Sequence, residues 1–266
     1  PIRNYPDVGH SFRCQFPVEK WDLALALTLG RECINPRPRA EKRIHNVYQS
    51  SFVGSITYSE GINDDVNKFV WADQEWDPDT DVVQTLRDYA RLFIDASQAD
   101  ELAHGFLALE ENFNGPLMVN EHVETCLSQW QAMEKRLCAY GRGNYRFEMG
   151  LIRAYYDAYQ KERLIWETHL QSQALHALRR CRVNGVAKAI DEALAIFDRA
   201  ESESVCPEYR QRIDELADAL FEHIGMQLTV KRHGALHWGR GGFVECADIP
   251  LNDARYWRHA LPPIKE

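Results

Sequence analysis

The chain has 266 residues, with 31 Lys and Arg against 40 Asp and Glu, and so a formal charge of −9. That length suits one or two domains with a substantial core, and 45% hydrophobic with 27% charged residues is the balance of an ordinary soluble protein. The acidity excludes a reader of the nucleic-acid backbone, which needs a basic surface, and no apolar run nears the roughly 20 residues that span a bilayer.

Residues 1–39 are rich in Pro, Gly and Arg, and Pro6, Pro17, Pro36 and Pro38 interrupt long regular elements. An extended stretch is expected over Ser11–Phe16 and a short helix over Asp22–Leu29. Residues 41–50 read as helix, and Ser51–Tyr58 (SFVGSITY) as a strand. That run is apolar or β-branched nearly throughout, the pattern of a strand covered on both faces.

From residue 62 the pattern turns helical. Val66, Phe69, Val70, Asp73 and Trp76 space one helix, which Trp76-Asp77-Pro78 stops. Asp79 or Asp81 caps the next, which carries Val82, Leu86, Tyr89, Leu92 and Phe93. Further helices are expected over 98–112, 118–139, 145–180, 184–203 and 207–224. The longest bears Leu151, Tyr155, Ala158, Tyr159, Ile165 and Leu170 on a stripe of helical period. Gly141-Arg142-Gly143-Asn144 precedes it, and Val205-Cys206-Pro207 separates the last two helices. Residues 226–266 return to Gly, Pro and aromatics and read as an irregular tail packed on the helices. No internal repeat or low-complexity run is present.

The most informative segment runs from Gly54 to Asp65. An apolar strand ends and, within three residues, delivers Glu60, Gly61 and a cluster of amide and acid groups. Active sites of α/β barrels and doubly wound sheets are built where strands end. A carboxylate there serves as nucleophile, general base or partner of a developing cation. Asp64 and Asp65 fall in the first turn of the next helix, where the macrodipole favours negative charge, so they read equally as capping acids.

Ser59-Glu60-Gly61-Ile62-Asn63, then Glu75-Trp76-Asp77-Pro78, then Leu86-Arg87-Asp88-Tyr89-Ala90-Arg91 resembles the end of a glycoside hydrolase barrel of the alpha-N-acetylglucosaminidase and alpha-glucuronidase type. O-GlcNAc-hydrolase-like enzymes share the plan of barrel, turn and helical bundle. The resemblance is strongest over residues 52–93 and is one of architecture over 94–225. It implies a mainly α chain: the last βα units of a (β/α)8-type barrel over residues 1–95, an α-helical domain over 96–225, and the tail over 226–266. It also implies a retaining glycosidase in which Glu60 matches the nucleophile, acting on a carbohydrate substrate without a cofactor. The residues that follow, Asn63, Asp64 and Asp65, are more acidic than the family pattern.

Retaining enzymes hold a second carboxyl about 5–5.5 Å from the first, and no residue of this chain is identified as that acid. A complete barrel takes about 250 residues, yet only two or three strand candidates precede residue 62. The expectation is that an N-terminal segment or another chain completes it, and a start at Pro1 fits a processed chain or part of a longer one.

Asn4-Tyr5-Pro6-Asp7-Val8-Gly9-His10 forms a second polar cluster, in which Asp7 and His10 are candidates to face a sugar. Tyr58, beside Glu60, is the best stacking platform; Tyr48 and Trp21 are others, whereas Trp71 and Trp76 sit at helical positions and read as core. Arg31-Glu32 reads as an internal ion pair. The candidate set is therefore Glu60 as catalytic residue, with Asp7, His10, Tyr58, Asn63, Asp64 and Asp65 binding substrate.

No metal site is expected: His233 and His237 have zinc-like spacing near Cys246, but the Gly-rich run around them opposes a helix. No phosphate loop or GxSxG elbow is present, and Cys14 near His10 is weak support for a thiol nucleophile. The seven cysteines, at 14, 33, 126, 138, 181, 206 and 246, form no CxxC pair and point to reduced thiols in the cytoplasm, with two or three disulfides as the alternative. The rival to the hydrolase is a non-catalytic helical scaffold that completes another subunit.

Overall fold

The computed structural model describes residues 1–6, 8, 21–29, 34–58, 65–236, 242 and 244–265. The fold is organised around one long helix, α7 (Tyr145–Arg179), whose start is written locally. Gly143 turns the chain at φ 70°, and the Asn144 side chain accepts from Arg146 N at 3.0 Å as N-cap. Every residue from Phe147 to Lys161 is buried, so this half of α7 has no solvent face.

Around that half pack α1 (Leu23–Thr28), α5 (Ala99–Glu111), α6 (His122–Arg136) and α10 (Pro207–Ile224). α3 (Asp65–Trp76) and α4 (Val82–Phe93) extend the same apolar core, which runs from Ala24 to Ala247, and α2 (Pro38–Tyr48) packs against α3. The C-terminal half of α7 pairs with α9 (Val186–Ser202), which follows the short α8 (Cys181–Asn184) and the bend at Gly185. A second apolar cluster there joins Ala174, Ala177, Ile190, Ala193 and Phe197 to Ala254 and Leu261 of the tail.

Two glycines make room for a tryptophan between helices. Trp130 of α6 is fully buried, and a Cβ on Gly150 of α7 would lie 2.1 Å from its ring. On the other side the Trp130 indole donates to the Gly105 carbonyl of α5 at 3.3 Å. The ring is therefore wedged between three helices.

The tail contains α11 (Val230–His233), a 3-10 turn over Val244–Asp248, α12 (Ala254–Ala260) and α13 (Pro262–Lys265). Polar side chains on one face of α7 hold it. Gln160 donates to Ala247 O at 3.0 Å, Arg163 donates to Ala247 O and to Ile249 O, Leu251 N donates to Glu167, and Asp253 N donates to Gln171.

The chain is mainly α, and no regular strand is formed among the described residues. The expected strand over Ser51–Tyr58 is corrected accordingly. It opens as a 3-10 turn, Gln49–Ser51, and continues as extended chain beside the N-terminal segment. Nor is it covered on both faces, since Val53 is 77% and Ile56 50% exposed. Its β-branched residues match a pleated surface, but among the described residues its backbone pairs only with Ile2, Asn4, Pro6 and Val8. Repeated βα units of a barrel are likewise absent among the described residues.

Other differences are local. α2 starts at Pro38, three residues before the expected helix, because proline at the first helical position loses no hydrogen bond. Leu117–Val119 is a separate 3-10 turn ahead of α6. Trp76, read as core, is 92% exposed as the last residue of α3, whereas Trp71 is buried.

Candidate functional site

The extended segment runs parallel to the N-terminus. Val53 N donates to Ile2 O, Asn4 N to Gly54 O, Ile56 N to Asn4 O, Tyr58 N to Pro6 O and Val8 N to Tyr58 O, at 2.9–3.1 Å. Asn4 and Ser55 form the parallel bridge at the centre of this ribbon. Glu60, Asp7, His10, Asn63 and Asp64 lie outside the described residues, as do Arg31, Glu32, Cys14 and His237. Their described neighbours, however, are tied together. Tyr58, two positions before Glu60, accepts from Val8, which lies between Asp7 and His10 in sequence.

A buried polar layer on α3 and α7 collects the ends of these segments. Asn67 is 1% exposed and uses its whole amide: Nδ2 donates to Val8 O at 3.1 Å and Asn35 O at 2.9 Å, and Oδ1 accepts from Arg37 N at 2.8 Å. Arg153 of α7 donates to Ile34 O at 3.0 Å and pairs with Asp157 at 2.6 Å, with neither side chain exposed. Asn112 donates to the other Asp157 oxygen at 2.9 Å, and the Arg153 guanidinium lies 4.4 Å from the centre of the Phe113 ring. Tyr156 donates to Thr28 O at 2.7 Å. Val8 and Asn35 are thus held by Asn67 of α3, and Thr28 and Ile34 by Tyr156 and Arg153 of α7.

Asp65 and Tyr58 are the described members of the expected substrate set, and they differ. Asp65 opens α3, where it accepts from Tyr89 at 2.5 Å and from Arg146 Nε at 2.7 Å. Burial, reinforced by the Asp65 charge, pushes the Tyr89 phenol well above its ordinary value, so it stays a donor. Arg146 lies 4.5 Å from the ring centres of both Phe93 and Tyr145; burial opposes its charge, but Asp65 outweighs that and holds it protonated. Asp65 is therefore engaged on both oxygens. Tyr58 is 39% exposed, with its ring 6.1 Å from that of Tyr5.

A second knot anchors the ribbon to α2 and α3. Ser55 donates to Glu75, Trp71 Nε1 donates to Ser55 Oγ at 2.8 Å and to Glu75 at 3.2 Å, and His45 Nε2 lies 3.4 Å from the same Glu75 oxygen. Glu75 sits between serine and histidine, so His45 is not hydrogen-bonded to the hydroxyl as nucleophile activation requires. Tyr48 is exposed beside this knot, and Trp21 packs edge-on against Phe113.

Elsewhere, His233 pairs with Asp218 at 2.9 Å and stacks on Phe221 at 4.6 Å. No group of three metal-ligating side chains occurs among the described residues. The described cysteines are free thiols, and burial pushes Cys126 up to about 12.

The positioning residues Asn67, Arg153, Asp157 and Asn112 were not singled out from sequence. A signal was present for one pair: Arg153 and Asp157 are a charged i, i+4 couple on a helix whose neighbours are apolar. Comparison with family models, curated protein sequences and solved structures gives no match to this chain.

Proposed function

We propose that the chain carries part of the active site of a glycoside hydrolase, with Glu60 as the carboxylate that attacks or stabilises an oxocarbenium-like centre. The observation that carries this reading is the parallel register of the ribbon. Because Val8 pairs with Tyr58 in parallel register, the chain continues from the same end of both segments, in sequence toward His10 from Val8 and toward Glu60 from Tyr58, with Asp7 next to Val8 in sequence. Asn67 and Arg153 supply the rigid second support that a catalytic constellation needs, since they fix the loops around that end. The resemblance of residues 52–93 to the end of a glycosidase barrel agrees with this. In this reading the ribbon would pair with barrel strands supplied by an N-terminal segment or another chain.

Tyr58 offers a ring face to a sugar, and Asp7, His10, Asn63 and Asp64 offer hydrogen bonds to hydroxyls. Asp65 takes a different part from that expected. With both oxygens engaged, it fixes the start of α3 rather than contacting substrate. The test is Glu60→Gln in the longest native polypeptide, assayed on a panel of aryl glycosides.

The non-catalytic reading has one observation in its favour. The backbone groups of Arg3, Tyr5 and Thr57 make no backbone hydrogen bond among the described residues, and Ile2, Val53 and Ile56 are exposed beside them. A scaffold that lends these segments to another subunit would hydrolyse no glycoside, alone or in complex.

A further inference from the structure

The end of the α7–α9 hairpin carries charge of the opposite sign to the chain as a whole. Although the sequence holds 40 Asp and Glu, none occurs between Glu167 and Asp191. That run instead holds Arg179, Arg180, Arg182 and Lys188, at the end of α7, in α8 and in the first turn of α9. All four residues are exposed, and none forms an ion pair among the described residues. The next acids along α9 are Asp191, which Lys265 takes, and Glu192.

Arg179 complements the negative end of the α7 macrodipole, the ordinary reason for a cation there. Lys188 has no such reason. It sits at the positive end of the α9 dipole, where a cation is disfavoured. Between Arg182 and Lys188, Val183 is 82% and Val186 47% exposed on either side of Gly185, which turns the chain at φ 86°. Two exposed valines are therefore bracketed by cations at the closed end of a helical hairpin.

An anionic surface with an apolar interior answers both features. A nucleic acid answers only the charge, since residues 179–188 offer no aromatic ring for a base to stack on. Acids farther along the molecule do not cancel the attraction. Charges are screened over about 8 Å at physiological ionic strength, whereas α7, with 35 residues, is about 50 Å long.

We propose that this hairpin end docks on an anionic lipid surface, with the four cations among the headgroups and Val183 and Val186 entering the interface. Each cation near such a surface strengthens binding about fivefold, so three together give on the order of a hundredfold. The proposal is independent of any role for Glu60, which lies in another part of the chain.

The test is co-sedimentation of the full chain with vesicles of phosphatidylcholine containing about 30% phosphatidylserine, against phosphatidylcholine alone. Binding to the anionic vesicles is expected to be at least about tenfold tighter and to weaken as salt is raised to about 0.5 M. Joint replacement of Arg179, Arg180 and Arg182 by Gln should cost on the order of a hundredfold, and Lys188→Gln about fivefold. Val183→Asp should also weaken binding several-fold, whereas Lys135→Gln, an exposed change on α6, should leave it unchanged. All these side chains are at the surface, so the helical circular dichroism of each variant should be retained. Equal binding to neutral vesicles overturns the proposal, as does no sedimentation with anionic vesicles at low salt. Wild-type affinity in the triple variant or in Val183→Asp overturns it too, as does tighter binding to a short DNA duplex than to the anionic vesicles.

Discussion

Replacing Asn67 by leucine tests whether the polar layer organises the candidate site. The side chains are similar in size, so the change removes hydrogen bonds with little change in packing. It strands Val8 O, Asn35 O and Arg37 N, all of which Asn67 serves from a buried position. Each buried group left unpaired costs about 1–3 kcal/mol. Taking about 1 kcal/mol for each of the three groups, the sum is about 2–4 kcal/mol. At about 2–4 °C per kcal/mol for a chain of this size, the melting temperature should fall by on the order of 5–15 °C. Scanning calorimetry and urea denaturation measure it. Asn67→Asp separates the contributions, since it keeps the acceptor for Arg37 N and loses both donors. A loss below about 1 kcal/mol in Asn67→Leu, or an Asp variant as stable as wild type, would refute this role.

Gly150→Ala forces a methyl to within 2.1 Å of Trp130, whose ring is held from the far side at Gly105; a loss of about 1–3 kcal/mol or more is expected in urea unfolding. Asp95 accepts from Cys138 N and from Ser97, and although burial opposes the charge, these bonds hold its carboxyl well below the usual range. A depressed folded value adds stability above the unfolded carboxylate value near 4 and loses it as pH falls below that. Asp95→Asn should therefore lower the melting temperature at pH 6 and narrow the gap to wild type between about pH 4 and pH 2. Tyr89→Phe removes one of the two Asp65 contacts and should cost about 1–2 kcal/mol, measured by thermal unfolding; an unchanged melting temperature would show that Asp65 needs only Arg146.

Helices were the legible part of the sequence, because their apolar stripes repeat at 3.6 residues and their ends carry Asn144, Asp81 and Pro207. Pro38 misled because the same ring that breaks a helix interior starts a helix well. The SFVGSITY run misled because β-branched composition reports a preference for a pleated partner surface and cannot supply the partner. Glu60 stood out through its place after that run, whereas Asn67 did not. Its importance lies in three backbone groups far away in sequence, and a lone Asn on an amphipathic helix gives no sign of them.

The central claim is tested most directly by hydrolysis of aryl glycosides by the longest native polypeptide, wild type against Glu60→Gln. The reading predicts measurable wild-type turnover on at least one glycoside and a loss of roughly a hundred- to ten-thousandfold in kcat for the variant, with its melting temperature kept. Wild-type rates retained by Glu60→Gln, or no turnover of any glycoside by the wild-type polypeptide, would contradict it.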